Sequence, residues 1–71
     1  MTVNIGDILL WKDRPIFEEE ERNPEHDEYF LVVAIDRGLR EPYVCLRLGS
    51  NDYERFSGVT FGNTHFWEMA A

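Results

Sequence analysis

Apolar residues fall along this chain in short runs separated by turn-forming and charged residues, and the densest run is Tyr29-Phe30-Leu31-Val32-Val33-Ala34-Ile35. Seven consecutive apolar positions, rich in β-branched and aromatic types, are too few for an ordinary helix. They predict a strand that is buried on both faces or curls through a small barrel, running from residue 28 to 35 or 36. Ahead of it, Asn4-Ile5-Gly6-Asp7 reads as a turn, and Ile8-Leu9-Leu10-Trp11-Lys12 as a first strand. Period two places Ile8 and Leu10 on one face of that strand, Leu9 and Trp11 on the other. Pro15 then blocks further pairing, because its nitrogen cannot donate to a ladder.

The second half of the chain repeats this texture. Residues 37–42 form a turn, with Gly38 free to take a positive φ and Pro42 stiffening the exit. The third strand, 43–48, alternates so that Val44, Leu46 and Leu48 are expected inside and Tyr43, Cys45 and Arg47 outside. Gly49-Ser50-Asn51-Asp52 is a second tight turn. A fourth strand covers 53–57, a short kink or 3₁₀ turn carrying Gly58 and Gly62 follows, and a fifth strand covers 64–69.

Between the first two strands lies a long connection, 13–27. Pro15 and Pro24 bracket Ile16-Phe17-Glu18-Glu19-Glu20-Glu21-Arg22-Asn23. A short helix could start at Pro15, since proline suits a first helical position and early glutamates suit the helix dipole. Like-charge repulsion and the Asn23-Pro24 breaker argue against a long one. Ile16 and Phe17 are expected to tuck back and anchor an acidic tip.

Five short strands, a long first connection, two tight turns and a kink before the last strand form an order that resembles the small SH3-like barrel. The connection stands where that fold has its RT loop, and residues 57–63 stand where it has a 3₁₀ turn. The resemblance is topological and covers residues 5–69. It implies an all-β fold, a small five-stranded SH3-like barrel with a long acidic first loop, as a single domain over 1–71. The Gly6-Asp7-Ile8 opening also resembles the start of KOW-type and MazF-like domains. The departures bear on function. The Ala-Leu-Tyr-Asp-Tyr-like stretch of peptide-binding SH3 domains has no counterpart in the first strand and its loop. MazF-like toxins are longer and use a basic, RNA-cutting face, and KOW domains present cationic loops. Fold analogy therefore transfers no chemistry here.

Charge changes the picture most. Fourteen acids oppose seven bases. Residues 13–28 alone hold eight acids (Asp13, Glu18, Glu19, Glu20, Glu21, Glu25, Asp27, Glu28) and two bases, a net −6 of the total −7. The rest of the chain is close to neutral. Binding a phosphate backbone directly is disfavoured, because that needs a cationic surface.

Candidate chemistry is sparse. His26, His65 and Cys45 sit on separate elements without a close-set pair, so no metal site and no cofactor are expected. Cys45 lies mid-strand, and no serine stands in a glycine-rich elbow or phosphate loop, so no enzyme activity is expected. His65, beside Phe66-Trp67, reads as a packed strand residue. The single cysteine precludes an intrachain disulfide, and no run is long enough to span a bilayer. The opening lacks the positive and apolar regions of a signal peptide, so a cytoplasmic protein is the expectation. A chain of 71 residues buries only about 60 % of its unfolded surface. Pairing with a second copy or a partner would reinforce so thin a core.

Ten aromatic residues exceed what that core needs. Phe30, Phe56 and Phe66 are the expected core members, whereas Trp11, Tyr43, Tyr53 and Trp67 read as amphipathic or outward. Exposed Trp and Tyr are the usual anchors of protein interfaces. The expected function is therefore a small acidic, non-enzymatic protein-binding module that meets a basic partner surface. The contacting residues would be Glu18, Glu19, Glu20, Glu21, Glu25, Asp27, Trp11, Tyr43, Tyr53 and Trp67. In size and charge alone the chain resembles phage- or mobile-element-encoded modulators of host proteins. The alternatives are a solvating loop without a partner, a nucleic-acid mimic that blocks a DNA- or RNA-binding host protein, and a KOW-like barrel that binds RNA through Lys12, Arg37, Arg40, Arg47 and Arg55.

Overall fold

A computed structural model describes residues 2–12 and 26–70 of the chain. The expected helix at Pro15, the anchoring by Ile16 and Phe17, and the candidates Glu18, Glu19, Glu20, Glu21 and Glu25 lie outside the described residues. The described chain is all-β apart from one helical turn. Its strands are β1 (Ile8–Trp11), β2 (Glu28–Ile35), β3 (Tyr43–Arg47), β4 (Tyr53–Phe56) and β5 (Trp67–Met69), with α1 (Gly58–Phe61) before the last. They form one antiparallel sheet in the order β4-β3-β2-β1-β5. β4 and β5 are its two edges, and no ladder joins them.

Local chemistry explains where each strand ends. The Asp36 amide donates to the Pro42 carbonyl at 2.7 Å, closing the β2–β3 turn. Between β3 and β4, Gly49 and Asn51 take positive φ of 99° and 62°, a conformation that glycine adopts freely and asparagine tolerates. Ser57 caps α1 by accepting from the Thr60 amide at 3.3 Å. β5 is shorter than expected: the Asn63 carbonyl accepts from both the Phe66 and Trp67 amides, which holds 64–66 in a turn. His65 is accordingly an exposed turn residue, its ring edge-on to Phe66 at 4.7 Å, rather than a packed strand residue.

Register decides the core. Leu9 faces Phe30, Val32 faces Cys45, Tyr43 faces Phe56 and Trp11 faces Trp67. These residues share the inner face, and Leu9, Phe30, Val32, Cys45 and Trp67 are buried there together with Val3 and Phe61. The β3 expectation is thus inverted: Cys45 is wholly buried, Leu48 is exposed, and Val44 and Leu46 are half-exposed. Apolar side chains occur at both parities of β3, so alternation alone does not select a face; pairing with Val32 does. β2 is buried on its inner face only, since Tyr29 and Val33 reach solvent, and its register slips between Val32 and Ala34. Such a bulge bends and twists the strand.

Trp67 also corrects an expectation. It is 6 % exposed rather than outward. α1 explains this, because the link from edge β4 to edge β5 lays Phe61 onto the inner face. The Phe61 ring meets those of Tyr43, Phe56 and Trp67 at 5.3, 5.4 and 5.1 Å. Tyr43 is accordingly half-buried against the core, not outward.

Candidate functional site

β1 leaves the sheet at Trp11 and β2 enters it at Glu28, and these two residues face each other in register. The residues that flank the acidic connection, Trp11 and Glu28, therefore lie side by side at one end of the sheet. That end holds a pocket of about 150 Å³, lined by Trp11, Glu28, Phe30, Glu54, Phe56 and Trp67. Its base is aromatic. Phe30 and Phe56 meet edge to face at 5.2 Å, and Trp67 touches both, at 5.5 and 5.1 Å. Trp11, half-buried beside Trp67, forms a side wall.

The carboxylates of Glu28 and Glu54 enter because the strand period demands it. Glu54 lies two residues from Phe56 on β4, and Glu28 two residues from Phe30 on β2, so each follows its aromatic neighbour onto the inner face. Arg47 stands between them on β3. Its Nη2 donates to Glu54 Oε1, and its Nε lies 3.7 Å from Glu28 Oε2. Its guanidinium carbon sits 5.6 Å from the centroid of Phe30, a cation–π distance. Arg47 Nε is buried and finds no hydrogen-bond acceptor among the described residues. Two acids against one base leave this end of the sheet with a net negative charge.

Comparison with protein-family models, curated proteins and solved structures finds no match. The site therefore stands on its own geometry.

Of the candidates from the sequence, the pocket gathers Trp11 and Trp67. Asp27 immediately precedes Glu28 and is half-buried. Tyr43 packs on Phe61 instead, and Tyr53, 66 % exposed, pairs with Leu46 on the opposite face. Glu28, Glu54, Phe30 and Phe56 were missed as lining residues. The signal was present in Tyr53-Glu54-Arg55-Phe56: placing Phe56 inside places Glu54 inside too.

Chemically the pocket offers π faces and carboxylates. Burial, and secondarily the charge of Glu54, pushes the Cys45 thiol up to about 11, so it stays protonated at neutral pH. Among the described residues no group of three or more His, Cys, Asp and Glu is placed to hold a metal ion. No helix among them is long and apolar enough to cross a membrane.

Proposed function

We propose that this protein is a non-enzymatic binding module, built as an SH3-like barrel, that docks on a basic protein surface through its acidic connection and the adjoining aromatic pocket. One observation carries the reading: Trp11 and Glu28, which bracket a stretch of net charge −6 over residues 13–28, pair with each other and both line the pocket. Clustered carboxylates steer a cationic surface during encounter, and aromatic pockets supply the short-range contact. Of the five bases that an RNA-binding surface would need, three are paired with acids, while Arg37 and Arg40 are exposed in the β2–β3 turn. Lys12 is buried with its amine 3.4 Å from Glu68, Arg47 pairs with Glu54, and Arg55 donates to Asp36 at 3.1 Å. This favours a protein partner over direct nucleic-acid binding.

The test is capture from native cell extract, comparing the natural chain with one carrying Gln at positions 18–21. The natural chain is expected to retain a basic protein with strong salt dependence, and the variant to lose both affinity and salt slope. Unchanged capture and slope would refute the acidic docking role. If duplex DNA displaces the captured protein competitively, the module is acting as a nucleic-acid mimic.

A further inference from the structure

We infer that the pocket at the Trp11–Glu28 end of the sheet receives an alkylammonium group, the head of a lysine side chain of the partner. This rests on the binding-module reading above and names what its pocket takes. The lining combines four aromatic side chains, Trp11, Phe30, Phe56 and Trp67, with two carboxylates, Glu28 and Glu54. Aromatic faces are negative at their centres and attract a cation placed over them. An anion would meet two carboxylates. A neutral apolar group would cover them without compensating their charge.

The charge balance leaves room for one cation. Arg47 neutralises one of the two carboxylates, so the cluster keeps a single negative charge. Arg47 also shows that this neighbourhood holds a cation, since its guanidinium already lies against Phe30. Shape then separates ammonium from guanidinium. A planar guanidinium seeks a carboxylate free to accept two parallel hydrogen bonds. Glu54 already accepts a hydrogen bond from Arg47, and Glu28 Oε2 faces Arg47 Nε at 3.7 Å, so a second planar fork would meet the first. A compact ammonium can turn its three N–H donors to single oxygens of Glu28 and Glu54 and to water, while its last methylenes meet the aromatic walls. The pocket volume of about 150 Å³ is the size that admits a benzene-sized guest, which suits such a group.

The two tryptophans of the chain both line the pocket, so their indole N–H resonances report its occupancy. The experiment titrates the full chain with butylammonium and choline, and with 3,3-dimethylbutan-1-ol, which replaces the quaternary nitrogen of choline by carbon. Both cations are expected to shift both indole signals saturably, with dissociation constants on the order of a millimolar, and the neutral isostere to bind about tenfold or more weakly. Trp11→Leu, which keeps apolar volume and removes the ring, is expected to weaken cation binding about tenfold. Glu28→Gln removes the charge without touching the rings and gives the same direction if the tryptophan variant fails to fold. Equal binding of cation and isostere would overturn the inference, as would the absence of saturable shifts in natively folded protein. Loss of cation binding while the Gln variant at 18–21 still abolishes partner capture would sink the pocket alone. Cation binding with capture indifferent to those glutamates would sink only the acidic docking role.

Discussion

Phe56 and Trp67 stand on the two opposite edges of the sheet, yet their rings meet edge to face with centroids 5.1 Å apart. Side-chain contact thus links two edges that no ladder joins. This contact, with Phe30, forms the base of the pocket and joins the two ends of the sheet order, β4 and β5. Phe56→Leu keeps apolar volume but removes the ring contacts to Phe30, Phe61 and Trp67. It is expected to lower stability by about 1–2 kcal/mol, read as a shift in the urea midpoint at constant m-value. A silent substitution would mean that the edges are held by something else.

α1 offers a sharper internal contrast. Phe61 is 1 % exposed, whereas its neighbour Val59 is 87 % exposed. Phe61→Ala should cost roughly 3–5 kcal/mol, a large part of the stability of so small a domain. Val59→Ala should stay within about 0.5 kcal/mol. Thermal melts of the two variants side by side check this.

Cys45 sets an alkaline limit. Its thiol is pushed from 9.0 up to about 11, first by burial and then by Glu54. Below pH 9 both folded and unfolded chains keep the proton, and the full stability is present. Above it the unfolded chain ionises first, so stability falls as pH rises towards 11, by roughly 2–3 kcal/mol. Urea unfolding of the natural chain and Cys45→Ala should show slopes against pH that diverge only in this window. In the native protein at pH 8, a thiol reagent should react far more slowly than in urea.

Arg47 joins two carboxylates that are each partly exposed, Glu28 and Glu54. Arg47→Met leaves both without a counter-charge and should cost about 1 kcal/mol at low salt, less in 1 M NaCl. Combining it with Glu54→Gln should recover part of the loss, and the double-mutant cycle measures the coupling. A purely additive cycle would show that the ion pair contributes nothing.

Much of the strand layout was legible in the sequence because it is written in nearest-neighbour terms. The run from Tyr29 to Ile35 lies within β2, and the apolar run at Ile8 is β1, since both are short, β-branched or aromatic, and bounded by breakers. Gly49 and Asn51 marked a turn through the backbone angles they accept. The end of β5 was harder. Residues 64–66 carry strand-like types, but two amides turn back to one carbonyl, that of Asn63.

The sequence by itself determined the number of strands, their order along the chain and the gathering of negative charge between the first two. These follow from local hydrophobic period, turn chemistry and plain counting. Only the tertiary structure decided that Cys45 and Trp67 point inward, that edge meets edge through Phe56, and that Glu28, Arg47 and Glu54 share one end. Those outcomes depend on the register of β2 against β3 and on the curl that lets α1 bring Phe61 onto the inner face. Both are settled by summed packing between residues far apart in the chain, which no local window of sequence contains.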